Sequence, residues 1–215
     1  MYRIAFLLLV NLLFNSCTEK KAQVSPLPYY NDPDFTPVFI DNLSEVPDKI
    51  THTIRDFRLL NQDYFLVSQE LLDQKIHVAN FIFTSCGSIC PTMTHNMKIV
   101  NDSLENDPSI VFLSFSVTPW IDSPEVLSRF RDKYSIKNPN WHFLTGNKTE
   151  IYNLARQSYF AEEDIGFSKD STEFLHTEHF ILVDKSKRIR GIYNGTLRLE
   201  MMNLIADIKS LKETE

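Results

Sequence analysis

The alternation of β-forming runs with helical patterns is the feature that most constrains the fold of this chain. Four dense apolar runs are typical of strands buried on both faces of a sheet: His77–Phe83, Ile110–Val117, Trp141–Leu144 and Phe180–Val183. A fifth strand, Arg188–Tyr193, follows a turn at Asp184–Lys187 and predicts a hairpin. Helical patterns fill most of the intervals and the end of the chain: Pro91–Leu104, Ser123–Tyr134, Lys148–Gln157 and Leu197–Leu211. This order predicts βαβ units and an α/β fold.

The same order of elements is the one expected of a thioredoxin-like fold, in which a central mixed sheet is flanked by helices. Periodicity alone does not separate this fold from other α/β sandwiches. Ahead of the core, Phe57–Leu60 and Tyr64–Val67 flank Asn61–Asp63 and predict a small hairpin in an N-terminal extension. Asp122 or Ser123 is the predicted N-cap of the second helix, because a first-turn proline follows.

The N-terminal segment has the pattern of an export signal. Arg3 supplies a positive charge, residues 5–14 are almost entirely apolar, and the small residue Ser16 precedes Cys17. The apolar run is about half as long as a membrane-spanning helix requires. The residues up to the cysteine resemble the cleavage site of a bacterial lipoprotein, whereas an ordinary signal peptide is the alternative. We therefore expect a lipoprotein signal peptide over residues 1–16, a lipid on Cys17, and a domain on the periplasmic or extracytoplasmic side of the cell envelope.

The remaining chain is expected to form a tether and one domain. Four prolines lie in the polar stretch of residues 17–37, which favours an extended, lipid-anchored tether. Residues 38–215, in a chain with 43% hydrophobic content, are enough for one sizeable core. Removal of residues 1–16 takes away only the charge of Arg3, so the net charge changes from −6 to −7. This acidic balance gives no indication of nucleic-acid binding.

Two cysteines, Cys86 and Cys90, follow the first core strand and predict a reactive site. The loop between them is too short for a structural disulfide to stabilise much, so a redox pair or a metal site is the better interpretation. Proline is favoured at the first helical position, which places Cys90 at the helix start and Cys86 in the preceding loop. A helix N-terminus lowers a thiol pKa and favours the thiolate, which is both nucleophile and metal ligand. Met93 and Met97 are expected in the core rather than as auxiliary ligands.

A histidine far along the chain is a candidate third ligand. His176 and His179 come just before or at the start of the strand Phe180–Val183, which is expected to neighbour the strand that leads to Cys86. Two residues three apart on a strand point to opposite faces, so only one is expected to reach a metal, and we assign His176. Two thiolates and an imidazole suit copper(I), whereas zinc usually takes a fourth ligand.

Three segments of this sequence resemble the Sco/SenC copper-chaperone family: Phe81–Pro91 (FIFTSCGSICP), Phe115–Leu127 with its Ser-Val-Thr-Pro, and His176–Gly195. The resemblance covers most of the chain from about Pro26 onward. Family members often have Pro and Asp inside the cysteine loop, where this chain has Gly87 and Ser88, and an Asp-Pro where it has Thr118-Pro119.

The resemblance implies a thioredoxin-like fold that binds copper, as Cu(I), Cu(II) or both, through Cys86, Cys90 and His176. It also implies a role in delivering copper or reductant to the dinuclear copper site of cytochrome c oxidase. The implied partners are the copper subunit of that oxidase or another copper chaperone, together with a thiol reductant and the membrane through the lipid anchor.

A second function class stays open at the level of sequence. Cys86 and Cys90 would also serve a thiol–disulfide oxidoreductase, in which cycling between dithiol and disulfide is the activity. A peroxidase needs a cationic partner for its cysteine, and no Lys or Arg occurs between Thr84 and Met97. A third ligand at His176 favours a metallochaperone over a turnover enzyme, because thiol exchange does not need one.

Overall fold

The computed structural model describes residues 27–104, 107–161 and 177–214. Within these residues the strands join in one mixed sheet. Their bounds are β1 Tyr29–Tyr30, β2 Pro37–Val38, β3 Arg58–Asn61, β4 Leu66–Ser68, β5 Ile76–Ile82, β6 Ile110–Ser116, β7 Trp141–Thr145, β8 His179–Val183 and β9 Ile189–Asn194. The strand order is β2-β1-β9-β8-β5-β6-β7-β3-β4. The pairs β5–β6 and β6–β7 are parallel and the others are antiparallel.

Helices cover both faces of this sheet. The α-helices are α1 Val46–Lys49, α2 Ile89–Ser103, α3 Pro124–Lys133, α4 Lys148–Asn153 and α5 Arg198–Thr214. Short 3₁₀ turns occupy Leu43–Glu45 and Gln69–Leu72. Among the helices of the described segments, none combines the length and apolar character that a membrane crossing requires.

The central part of the sheet confirms the predicted α/β class. The unit β5–α2–β6 is a parallel crossover, and the hairpin β8–β9 with α5 closes the chain on the other side of β5. A mixed sheet flanked by helices, with the order β9-β8-β5-β6 at its centre, is the thioredoxin-like arrangement that the element order predicted. The strand that leads to the cysteines therefore lies in the middle of the sheet.

Alternation along β5 divides the core into two layers. Val78 and Ile82 face the layer built with α2 and α5, which also contains Cys90. Ala79 and Phe81 face the opposite layer. Because side chains of a strand alternate between faces, each layer is recognised from residue parity alone. Met93 and Met97 are fully buried in the first layer, as expected of core residues.

The region predicted as one helix over residues 148–157 is divided in the structure. The α-helix α4 is followed by a π turn, Leu154–Ser158, in which the Tyr159 N–H donates to the Leu154 carbonyl over 2.9 Å. The wider turn accompanies the complete burial of Tyr159 against the sheet. Helical periodicity in sequence does not distinguish α from π turns, so this detail was not predictable from the pattern.

The start of helix α3 agrees with one of the two predicted N-caps. Ser123 is the N-cap, its hydroxyl accepts from the Val126 N–H over 3.4 Å, and Pro124 is the first helical residue. Asp122, the other candidate, turns into the protein interior and is fully buried.

The N-terminal part of the described chain packs on the outer edge of the sheet. Tyr30 pairs with Ile189 of β9. Arg190 lies 3.8 Å above the ring centroid of Tyr29 and donates hydrogen bonds to the carbonyl groups of Leu27 and Pro28. These contacts attach the first described residues firmly to the β8–β9 hairpin.

Candidate metal centre

The two cysteines lie in a loop and a helix start at the carboxyl end of β5. The strand is buried along its whole length, so it delivers the loop to a defined position at the edge of the sheet. The Cys86 N–H donates to the Phe83 carbonyl over 3.2 Å, which closes a tight turn after the strand. Helix α2 then begins at Ile89, which makes Cys90 its second residue. Both sulfurs are free thiols.

Pro91 is the third residue of this helix, not the first as the sequence pattern predicted. The difference has a simple reason: none of the N–H groups in the first helical turn has an intrahelical partner, so a proline is tolerated throughout that turn. Ser88 is the N-cap and its side chain makes no capping hydrogen bond. The first-turn amides are therefore available to the nearby sulfur of Cys86.

The two thiols lie close together but differ in their surroundings. Cys86 is partly exposed, whereas Cys90 is only 4% exposed and belongs to the core layer under α2. The two side chains are near enough for each thiol to affect the pKa of the other. The loop thus brings the two thiols together, with Cys86 at the surface and Cys90 beneath it.

The pKa values of the two thiols move in opposite directions. Partial desolvation opposes ionisation of Cys86, but hydrogen bonds from the amides of Cys90, Ser88 and Ile89 and from the Cys90 thiol outweigh it, and its pKa is lowered. Burial raises the pKa of Cys90 to about 12, and the proximity of Cys86 and the charge of Asp122 add to this effect. Sequence reasoning predicted thiolate stabilisation by the helix start for the pair. It applies to Cys86, whereas burial overrides it at Cys90.

This arrangement is competent for two kinds of chemistry. A partly exposed thiol of lowered pKa next to a buried one has the asymmetry of an attacking and a resolving cysteine. Two neighbouring sulfurs also provide a pair of soft donors to a single ion. The described residues contain no cluster of three or more His, Cys, Asp and Glu side chains suited to a metal ion. His176 lies outside the described residues, so its assignment stays a prediction.

His179, the histidine that was set aside, lies on the face of the sheet away from the thiols. Its ring makes an edge contact with Phe35, with the centroids 5.8 Å apart. It shares the parity of Ile181, which belongs to the layer opposite Cys90, whereas Phe180 belongs to the layer of Cys90. The alternation of β8 therefore places His179 away from the thiols, and the assignment of His176 stays a prediction.

Asp122 is the residue beside this site that the sequence analysis considered only as a helix cap. Its carboxylate is fully buried and accepts hydrogen bonds from the hydroxyls of Thr84 (2.5 Å), Ser116 (2.6 Å) and Thr118 (2.9 Å) and from the Thr84 N–H (3.3 Å). The signal available in the sequence was a hydroxyl residue at the carboxyl end of each of two neighbouring parallel strands, followed by a nearby aspartate.

Comparison with known proteins places this geometry in a family. The family model SCO1/SenC matches residues 46–213. A SCO1/SenC family lipoprotein from Bacillus anthracis str. Ames is 29% identical, with a TM-score of 0.66 over 75% of this chain and 95% of that one. BsSco, a member of the Sco family of cytochrome c oxidase assembly proteins in which a disulfide switch was identified, is 32% identical, with a TM-score of 0.63 over 74% of this chain and 93% of that one.

A more distant likeness concerns the fold. ScoI of Bradyrhizobium japonicum, solved with copper bound, is 23% identical and has a TM-score of 0.59 over 74% of this chain and 99% of that one. The family model covers well over half of the sequence, and the strand and helix order agrees with the solved structures. This chain, with its dithiol at the end of the central strand, belongs to the SCO1/SenC family.

Proposed function

We propose that this protein is a membrane-anchored, copper-binding assembly factor that delivers copper, or reductant, to the dinuclear copper site of cytochrome c oxidase. The observation that carries the proposal is the contacting pair Cys86 and Cys90 at the end of β5 in a chain of the SCO1/SenC family. Copper is cargo in this proposal. Hard cations are disfavoured because the described donors at the site are both sulfur.

Copper binding is supported by the chemistry of the donors. Two thiolates from one short loop hold a soft ion without any hard ligand, and Cu(I) is the ion that suits them. We assign His176 as the third donor. Strand β8 begins at His179 beside the end of β5, since Ala79 is paired with Ile181 in antiparallel register. The chain therefore enters β8 at the edge of the sheet from which the cysteine loop leaves β5.

Anchoring at Cys17 is the second part of the proposal. It rests on the sequence pattern of residues 1–16 and on the Bacillus anthracis relative, which is described as a lipoprotein. In this arrangement residues 17–26 link the lipid to the domain, because the part of the predicted tether from Leu27 to Pro37 packs on the sheet through β1 and β2. The domain then works at the extracytoplasmic face of a membrane, where an oxidase partner or another copper chaperone is within reach.

The alternative function is a thiol–disulfide oxidoreductase. The observation that favours it is the asymmetry of the thiols, with the lower pKa at the partly exposed Cys86 and the higher at the buried Cys90. The solved relative BsSco contains a disulfide switch, which agrees with redox chemistry in the family. This function uses the same two sulfurs but has no need of His176.

The test compares oxidase assembly in cells that express Cys86→Ser, His176→Ala or His179→Ala in place of the wild-type protein. If copper delivery is the function, Cys86→Ser and His176→Ala produce the same loss of oxidase activity and of the dinuclear copper signal, and His179→Ala is close to wild type. Normal oxidase assembly with His176→Ala, together with loss in a cysteine variant, would replace the copper proposal by the oxidoreductase.

A further inference from the structure

We propose that Asp122 is a positioning residue for the dithiol, which holds the Cys86–Cys90 loop in place by binding Thr84. The two segments that meet at this carboxylate are the loop after β5 and the loop after β6. Ser123, not Asp122, is the N-cap of α3, so capping does not account for the Asp122 carboxylate. The effect on copper binding rests on the function proposed above, whereas the effect on the disulfide does not.

The carboxylate is built into the interior with all its partners in place. A buried carboxylate is stable only when hydrogen bonds replace its lost water, and Asp122 accepts four such bonds. It forms no ion pair with any residue of the described segments. Two of the donors, Ser116 and Thr118, lie at the end of β6 and just after it, so their hydrogen bonds fix Asp122 to that end of the strand.

The bond to Thr84 transmits that support to the cysteine loop. Thr84 is held twice, through its hydroxyl to Oδ1 and through its backbone N–H to Oδ2 of Asp122. It lies two residues before Cys86, and the Cys86 N–H in turn donates to the carbonyl of Phe83, the residue before Thr84. The backbone from Phe83 to Cys86 is therefore fixed to the end of β6 on one side and closed by its own turn on the other.

The second half of the loop supplies little restraint of its own. A Cβ placed on Gly87 would have no heavy atom within 4 Å, so this part of the loop projects into open space. The side chain of Ser88 makes no capping bond to α2. The position of the Cys86 sulfur relative to Cys90 therefore depends on the hydrogen bonds between Thr84 and Asp122 and on the start of α2.

A defined sulfur–sulfur position matters for both reactions of the pair. Exchange with glutathione disulfide converts two thiols and one glutathione disulfide into the Cys86–Cys90 disulfide and two molecules of glutathione, and its equilibrium constant rises with the effective concentration of one thiol at the other. Binding of one ion by two sulfurs gains from the same preorganisation. Loss of the hydrogen bonds between Thr84 and Asp122 is expected to lower both the glutathione equilibrium constant and the affinity for copper.

The experiment uses Asp122→Asn, Thr84→Val and the double variant in the full-length protein purified in detergent. Each single variant is expected to lower the glutathione equilibrium constant on the order of three- to tenfold and the affinity for Cu(I), measured by chelator competition, about tenfold. Because both substitutions cut the same tie, the double variant should be no weaker than the worse single one, within about twofold.

Two matched variants separate positioning from general stability. Thr84→Ser keeps the hydroxyl and should restore both constants to within about twofold of wild type. Ser114 lies on β6, as Ser116 does, and its buried hydroxyl donates to Asn80 and accepts from Trp141. Ser114→Ala should therefore lower the thermal midpoint without changing either constant. Both are compared with the thermal midpoints of the Thr84→Val and Asp122→Asn proteins.

Four results would overturn the proposal: wild-type constants in Asp122→Asn, wild-type constants in Thr84→Val, fully additive effects in the double variant, or equal losses in Ser114→Ala. Failure of the wild-type protein to bind copper, with the expected changes in the glutathione equilibrium, would refute the copper function and support the positioning role. Normal copper binding with an unchanged glutathione equilibrium in Asp122→Asn would refute the positioning role alone.

Discussion

Cys86 and Cys90 are neighbours at the end of β5, yet their thiol pKa values are shifted in opposite directions. The amides at the start of α2 lower the pKa of Cys86, and burial raises the pKa of Cys90 to about 12. One loop thus presents a reactive sulfur at the surface while it keeps a second one protonated beneath it. In the metal-free protein Cys86 is therefore the more accessible and the more readily ionised of the two thiols.

The first prediction concerns alkylation of the reduced, metal-free protein. Near pH 8, iodoacetamide should modify Cys86 and leave Cys90 largely intact, because only the thiolate reacts. The rate at Cys86 should rise with pH and level off below the ordinary thiol pKa, whereas Cys90 should react only towards pH 12. Peptide mass spectrometry identifies the site. Modification of Cys90 before Cys86 would show that the assigned asymmetry is wrong.

The second prediction concerns the third copper ligand. The reduced protein should bind one Cu(I) per chain, and His176→Ala should weaken that binding about 10- to 100-fold, as measured anaerobically by chelator competition. His179→Ala is the matched control, since its ring packs against Phe35 in the layer opposite Cys90. It should lose some stability, on the order of 1 kcal/mol for the aromatic contact, and keep its copper affinity.

A weaker affinity in His179→Ala than in His176→Ala would show that the other histidine is the ligand. Full copper retention in both variants would leave only the two sulfurs as donors and would remove the third ligand from the proposal.

The third prediction concerns competition between the disulfide and copper. Mild oxidation should join Cys86 and Cys90, with the loss of two hydrogens by mass, and the oxidised protein should bind little copper, because the metal and the disulfide use the same sulfurs. Treatment with dithiothreitol should restore binding. A persistent dithiol under oxidant would contradict the contact between the two side chains.

The fourth prediction concerns the anchor. Cys17→Ser should move the protein from the membrane fraction to the soluble fraction, because a serine cannot carry the thioether-linked lipid. The expected covalent change is measurable on the N-terminal peptide, which should carry lipid in the wild-type protein and none in the variant. A Cys17→Ser protein that stays in the membrane fraction as wild type does would exclude the lipid anchor.

The fifth prediction concerns acid sensitivity through His77. This side chain is fully buried on β5, its Nε2 lies 3.2 Å from the Tyr159 hydroxyl, and burial lowers its pKa to about 3, with a smaller contribution from the charge of Lys187. Below the ordinary pKa of 6.5 the unfolded chain binds a proton that the folded chain does not, so stability falls as pH falls from 6.5 towards 3.

The loss attributable to His77 should be about 2 kcal/mol between pH 7 and pH 5, since each unit of pKa difference corresponds to about 1.4 kcal/mol. Urea unfolding at the two pH values measures it. The glutamine in His77→Gln cannot titrate, so the free energy of unfolding of this variant should fall by about 2 kcal/mol less than that of wild type between pH 7 and pH 5. The variant is expected to be less stable than wild type at pH 7. An equal pH dependence in the two proteins would place the acid sensitivity elsewhere, for example at the half-buried His52, whose pKa burial also lowers.

Local patterns in the sequence determined the elements that hold the site. The apolar run that became β5 and the proline after Cys90 placed a strand, a loop and a helix start in that order, because strand periodicity and first-turn preferences act over only a few residues. The same short-range rules predicted the hairpin β8–β9 and a cap at Asp122 or Ser123, of which Ser123 is the one in the structure. The predicted start of α2, Pro91, lies two residues after the observed start, Ile89, since a proline is tolerated anywhere in the first turn.

The surroundings of the thiols follow from contacts between elements that are distant in the sequence. The burial of Cys90 depends on which core layer its own helix, α2, covers. The environment of Asp122 depends on the parallel pairing of β5 with β6, which brings Thr84 and Ser116 together although they are 32 positions apart in the sequence. Burial and charge act through space, so their effect on a thiol pKa has no signature in local spacing. Residue type and spacing identified Cys86 and Cys90 as the reactive pair. The packing of the sheet and its helices sets which sulfur is exposed, which is buried, and which carboxylate holds their loop.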